Sequence, residues 1–162
     1  MKLNRFFLWV TLALLLVVIA VSLNSPLIVN AAKYAQVSRE ILENHEWLNL
    51  TIAGDAYDQK PPLMFWIGAL FFHFFGVSTL VWKIAFLLVS ISGIYSTYKF
   101  GKLFDGEIAG RLAALFWTVS LGYLFYHSDI LTDTLLADLV VFSIWQLAVF
   151  FREKNLHIFT LA

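Results

Sequence analysis

The chain has 162 residues, of which 60% are hydrophobic and 17% aromatic, with no cysteine and a formal net charge of zero. A mean hydropathy of +0.79 excludes an ordinary soluble domain, which would expose large apolar patches and aggregate. The balanced charge and the lack of a basic stripe exclude a nucleic-acid reader, and the missing cysteines exclude disulfides, thiolate metal sites and a cysteine nucleophile.

The chain therefore reads as an integral membrane protein. Phe6 to Val21 is an almost unbroken hydrophobic run behind Lys2 and Arg5, as a first spanning helix requires. A cleaved signal peptide is the rival reading, with Ala20-Val-Ser22 as a passable cleavage site. The run is long for a signal core, and further apolar segments follow it. Asn24 to Gln59 is polar enough to lie outside the bilayer. Within it, Ala31 to Trp47 has helical spacing, with Lys33, Gln36, Glu40 and Glu43 on one face and Tyr34, Val37, Ile41 and Leu42 on much of the other. Asn30 stands where an N-cap belongs. An amphipathic helix resting on the membrane surface fits this pattern.

Leu63 to Phe75 is apolar on all sides. At the helical rise it reaches only about 20 Å against a hydrocarbon core of about 30 Å, too short to span comfortably. Thr79 to Tyr98, Ala109 to Tyr126 and Leu135 to Phe151 are each long enough. Gly76 punctuates the end of the short helix, and Gly101 and Gly106 mark a loop over Lys99–Arg111. The chain closes on His157-Ile-Phe-Thr-Leu-Ala162, which reads as the beginning of a further span.

The short segment decides sidedness. If it stays on the surface, Lys2, Arg5, Lys99, Lys102, Arg111, Arg152 and Lys154 all fall on the cytoplasmic side, as the positive-inside rule prefers. The Asn30 region, Asp55, Asp58, Lys60, Lys83, Asp129 and Asp133 then gather on the outer face. The expected fold is all-α: a polytopic membrane bundle of four complete transmembrane helices and the start of a fifth. Two juxtamembrane helices occupy a first outer loop at about residues 24–78.

Charge inside a bilayer costs on the order of 2.5–3.5 kcal/mol at mid-depth and less near the edge. Lys83 and Asp138 each lie about one turn into their helices, and Asp129 and Asp133 are four apart, so they share a face of a helix that begins early. These groups read either as boundary charges or as a site in which Lys60 and Lys83 hold a phosphate while an aspartate handles a proton. Lys60 itself precedes Pro61-Pro62. Two prolines can simply open a helix, but the positive end of a helix beside a lysine also suits a phosphate. The four histidines show no metal-ligand spacing. His73 reads as a packed or interfacial residue, and His127, close to Asp129, as a boundary one.

Several motifs occur in a telling order: Ala32-Lys-Tyr-Ala35, Ser38-Arg-Glu-Ile-Leu42, Trp47-Leu48, Gly54, Tyr57, Lys60-Pro-Pro-Leu63, Trp66 and Phe75-Gly-Val-Ser78. Gly101-Lys-Leu-Phe104, Ala109-Gly-Arg-Leu-Ala-Ala-Leu115 and Thr132-Asp-Thr-Leu-Leu136 continue the series. The set resembles the N-terminal part of the GT-C membrane glycosyltransferases, in the branch of protein O-mannosyltransferases and aminoarabinose lipid A transferases. The resemblance runs over about residues 5–162, and residues 1–162 are accordingly expected to be the N-terminal part of one such domain. It implies transfer of a hexosyl or pentosyl sugar from a polyprenyl-phosphate donor to a lipid, glycan or protein acceptor. The transfer would take place on the outer face of a bacterial inner (cytoplasmic) membrane. It implies Lys60 as a donor-phosphate ligand and Asp133 as the acid of the second outer loop. Lys33, Arg39 and Tyr57 match positions lining the first loop, where Asp58 is a further substrate-binding candidate. The resemblance fixes no cofactor, and a divalent metal is compatible with it.

Two positions depart from that family. Its members carry an aspartate, often followed by glutamate, where this chain has Asn30 and Ala31. Asparagine cannot take a proton near neutral pH or bind a metal as a carboxylate does. Ser128 replaces an arginine, with Asp129 as an extra acid beside it. Either another acid (Asp129, Asp133 or Asp58) carries catalysis, or the chain is a degenerate, non-catalytic relative that binds lipid-linked glycan. A fragment of this length is expected to be inactive alone. A small transporter is disfavoured, because the charges gather at one face rather than along a mid-membrane path.

Overall fold

The computed structural model describes residues 2–120 and 132–152. Helix α1 covers Lys2–Asn24 and α2 covers Val29–Asn44. A two-stranded antiparallel ladder follows, β1 (Thr51–Ile52) with β2 (Asp55–Ala56). Then come α3 (Leu63–Phe75), α4 (Thr79–Val119) and α5 (Thr132–Arg152). The chain is mainly helical. Helices α4 and α5 are long and apolar enough to cross a membrane, whereas α3 is a shorter apolar helix. The start of a further span after His157 lies outside the described residues.

Helix α3 has the boundaries that the sequence suggests. Pro62 is its N-cap residue, and the Pro62 carbonyl accepts the first helical bond, from Trp66 N at 3.0 Å. Gly76 ends it at a φ of 84°, a conformation that a side chain would strain. One side of α3 is buried through Met64, Phe65, Ala69 and Phe72, while Leu63, Leu70, Phe74 and Phe75 stay exposed. Phe65 receives the edges of two tyrosines, Tyr34 of α2 at 5.7 Å and Tyr57 at 5.5 Å between centroids. Gly68 lets α2, α3 and α4 meet. A Cβ there would stand 2.2 Å from the Trp82 ring and 2.5 Å from Ser38 Oγ.

Helix α2 begins and ends earlier than its periodicity suggests. Its N-cap is Ile28, with no side-chain cap bond. Asn30 is exposed within the first turn, so its expected capping role is not realised. The helix stops at His45, which takes the left-handed conformation common at helix ends (φ 57°). Glu40, which the pattern puts on the water-facing side, is buried instead. Gln36 Nε2 donates to its Oε1 at 2.9 Å, Ala53 N donates to Oε1 at 2.7 Å and Thr51 Oγ1 donates to Oε2 at 2.7 Å. The carboxylate thus fastens the hairpin to α2. Its turn residues Ala53 and Gly54 both have positive φ (53° and 85°), as a tight two-residue hairpin requires. The bond to Ala53 N holds an alanine where glycine would be the easier choice.

The loop expected over Lys99–Arg111 is largely helical. Within α4 only Asp105 (φ −138°) and Gly106 (φ 74°) leave helical geometry. The chain reverses there, since a Cβ on Gly110 would lie 2.6 Å from the Tyr98 carbonyl and one on Gly101 would lie 2.9 Å from Ala113 Cβ. Residues 79–104 and 107–119 therefore form two close antiparallel arms, with glycines in place of side chains at the contact. Gly106 is the residue that turns the chain, while Gly101 serves the packing. Glu107 closes the turn, paired with Lys102 Nζ at 2.6 Å and Arg111 Nη2 at 2.9 Å, and accepting from Tyr98 OH at 2.9 Å. The expected extension to Tyr126 lies outside the described residues. Helix α5 packs on α4 more extensively than any other pair of elements.

Gly68→Ala is expected to lower stability by at least about 1–3 kcal/mol, because neither the Trp82 ring nor Ser38 can yield that space; thermal-shift measurement in detergent checks it. Glu40→Gln is expected to cost about 1–3 kcal/mol and to expose the 51–56 hairpin to protease first. The wild-type carboxyl feels burial, which would raise its pKa, but the bonds from Gln36, Thr51 and the Ala53 and Gly54 amides leave it below its ordinary value. A lowered folded pKa contributes stability that is complete above the unfolded value of about 4.3 and is lost as pH falls through the folded one. Protease nicking at the hairpin should therefore rise only below about pH 4.

Candidate functional site

The N-terminus of α3 and the first turns of α5 form the two walls of a cleft of about 210 Å³, lined by Lys60, Pro61, Leu63 and Met64 on one side and by Thr132, Asp133, Leu135, Leu136 and Leu139 on the other. Its polar groups gather at one end, and its apolar wall continues along α5. Leu135 is buried and belongs to the same apolar cluster as Met64, so the two walls meet at the cleft floor. Lys60 is half-buried and Asp133 exposed. Two residues far apart in sequence thus share one opening: a cation at the start of one helix and a carboxylate in the first turn of another.

The loop carrying Lys60 is tied down on both sides. Lys33 Nζ donates to Gln59 Oε1 at 2.8 Å and lies 4.9 Å from the centre of the Tyr57 ring. The Trp66 indole donates to the Trp47 carbonyl at 2.7 Å. Tyr57 is buried, and its backbone N donates to the Leu50 carbonyl at 2.7 Å. Burial, together with the neighbouring Tyr34 phenol, raises its hydroxyl pKa above the ordinary value. Tyr57 is therefore a neutral hydroxyl at physiological pH, and Lys33 meets a neutral ring. Together Lys33, Tyr57 and Gln59 hold the segment that presents Lys60.

The other sequence candidates lie elsewhere. Arg39 pairs with Glu43 at 2.6 Å and, with Gln36, Phe72 and Ser78, lines a separate groove of about 260 Å³. Asn30 and Asp58 are exposed and line neither opening. Lys83 is buried, and its ammonium donates to the carbonyls of Leu23 (3.2 Å) and Ser25 at the end of α1. It satisfies carbonyls left unbonded at a helix end, which leaves it engaged away from the Lys60 cleft. Asp129 lies outside the described residues. Among the described residues no three histidine, aspartate or glutamate side chains come together as a metal site.

Sequence reasoning missed Gln59 and Glu40. Gln59 directly precedes Lys60, but nothing in its spacing announces a bond to Lys33. Glu40 has the period of a water-facing residue, and only the return of the hairpin covers it.

A family model described as dolichyl-phosphate-mannose-protein mannosyltransferase matches residues 59–162, a stretch that starts one residue before Lys60 and contains both walls of the cleft. No curated protein and no solved structure matches the chain. The matched family consists of membrane glycosyltransferases that work with a lipid-linked sugar donor and an acceptor. With more than half of its length matched, this chain belongs to the dolichyl-phosphate-mannose-protein mannosyltransferase family.

Proposed function

We propose that the chain is the N-terminal part of a GT-C glycosyltransferase that moves a sugar from a polyprenyl phosphate to an acceptor on the outer face of a bacterial inner membrane. The observation that carries this reading is the shared cleft of Lys60 and Asp133. In it, Lys60 and the amide end of α3 bind the donor phosphate, which leaves as charge builds on its bridging oxygen. Asp133 takes the proton of the acceptor hydroxyl as that oxygen attacks the anomeric carbon. The apolar wall of Leu136 and Leu139 fits the lipid part of the donor. Lys33 and Tyr57 hold the Lys60 loop, and Arg39, which lines the separate groove, is a substrate-binding candidate.

The distribution of charge supports this orientation. Lys102, Arg111 and Arg152 gather at the turn end of the bundle, where Arg152 Nη1 donates to the Leu103 carbonyl at 2.7 Å. The cleft lies at the opposite end of α5. A basic end in the cytoplasm and a cleft outside satisfy the positive-inside rule, with α3 resting in the outer leaflet.

A second reading is a non-catalytic relative that binds lipid-linked glycan. Asn30 favours it, because an amide occupies the position of a family acid.

In the complete protein, Lys60→Ala is expected to raise the donor KM or Kd roughly 10- to 100-fold, the loss of a charge-assisted bond to phosphate. Donor affinity equal to wild type would remove Lys60 from the phosphate site. Asp133→Asn is expected to lower kcat by about 10²–10⁴-fold with donor binding retained. Normal donor binding with no transfer by the wild-type protein, under conditions where a related enzyme is active, would favour the second reading. Asn30→Asp is expected to maintain or raise activity; a clear drop would show the amide to be suited to its task. A membrane-impermeant amine reagent applied to intact cells should spare Lys102, and its modification from outside would reverse the orientation.

A further inference from the structure

Helix α5 turns three side chains toward α4 at seven-residue intervals: Asp138, Trp145 and Arg152. The spacing is that of a heptad seam between two helices running side by side. Asp138 is 1% exposed and fits against Gly93, where an added Cβ would stand 1.9 Å from its Oδ1. Ser90 from the first arm of α4 and Trp117 from the second turn toward the same carboxyl. Two levels further along, Trp145 meets the Tyr95 ring edge-on at 5.8 Å, and Arg152 Nη1 reaches the Leu103 carbonyl at 2.7 Å. The partners on the first arm of α4 advance in the same direction as the residues on α5, so α5 runs parallel to that arm. The cleft residues Asp133, Leu136 and Leu139 occupy another face of α5.

We propose that Asp138 is a positioning residue, whose seat in the Gly93 notch fixes the rotation and depth of α5 and thereby the place of Asp133 across from Lys60. An apolar side chain would pack against α4 in several registers. A bulky polar group is buried only where the facing backbone leaves room for it, and the Gly93 notch does so at a single register. The notch admits it because Gly93 carries no side chain. This assignment rests on the reading of the cleft as the transfer site, but its geometric content can be measured apart from transfer.

The experiment uses the cleft walls as a ruler in the complete protein, with any cysteine outside this chain replaced. Leu63→Cys and Leu136→Cys place one thiol on each wall, and a short bismaleimide reports their approach. With Asp138→Asn, which keeps the shape and a polar head in the notch, cross-linking and transfer should stay close to the parent. With Asp138→Leu or Gly93→Ala, cross-linking should fall several-fold and kcat should drop by up to about 10²-fold, with a smaller change in donor KM. Combining Gly93→Ala with Asp138→Ala removes the clash but also the carboxyl, so cross-linking should stay well below that of the parent, even where membrane accumulation is recovered. Parental cross-linking in both Asp138→Leu and Gly93→Ala would overturn the proposal, as would parental cross-linking in the double variant, which lacks the carboxyl. A changed cross-link with unchanged transfer would instead sink the cleft as the transfer site and leave the seat of α5 intact.

Discussion

The end of the protein that carries the cleft depends on how closely α3 approaches its neighbours at Gly68. The hydrogen at that position lets the Trp82 ring of α4 and the Ser38 hydroxyl of α2 both touch the α3 backbone. Phe65 then lies under two tyrosine edges, and the Lys60 loop is pulled against α2 through Lys33 and Gln59. Burying Met64, Phe65 and Phe72 contributes roughly 1.5–3 kcal/mol each where the alternative is water. That is enough to hold a thirteen-residue helix that is too short to be held by the bilayer. Through this chain of contacts a steric fact about one glycine becomes the location of a cation.

The apolar bulk of the chain makes each polar group inside it conspicuous. Ser96, Thr97, Thr118 and Ser143 return their hydroxyls to carbonyls one turn back, at 2.7 to 2.9 Å. This is the inexpensive way to keep a hydroxyl in a membrane helix. Lys83 and Asp138 have no such local solution. Lys83 finds carbonyls at the end of α1, and Asp138 finds the notch at Gly93 of α4. One turn inside a membrane helix the cost of a buried charge is below the roughly 2.5–3.5 kcal/mol of mid-depth, and these contacts offset part of it.

The sequence disclosed the helices more readily than it disclosed their partners. The limits of α3 follow from Pro62 and Gly76, whose backbone constraints act locally. The α2 periodicity was readable as well, but Glu40 shows the limit of that method: period places a residue on a face, and the hairpin that returns to cover that face is a tertiary event. The reversal at Asp105-Gly106 looked like a longer loop because Lys99, Lys102 and Arg111 are polar. The helix tolerates them because Glu107 pairs with Lys102 and Arg111, while the Lys99 ammonium lies over the Tyr95 ring. At the candidate site, Lys60 and Asp133 stood out as polar residues at the ends of apolar runs, and both line one cleft. Lys83 stood out for the same reason, yet its ammonium is engaged with α1, since sequence gives depth in a helix but not direction around it.

The two-residue reversal within α4 has a consequence for how the protein is made. A ribosome delivers residues 79–104 and 107–119 in succession, and the link at Asp105-Gly106 is too tight for the first arm to settle in lipid far from the second. The glycines at 101 and 110 find their close contacts only when both arms are present and antiparallel. The insertion machinery must therefore accept the pair as one object, and a stall in translation between them would leave a helix in the membrane with an unfilled groove along its side.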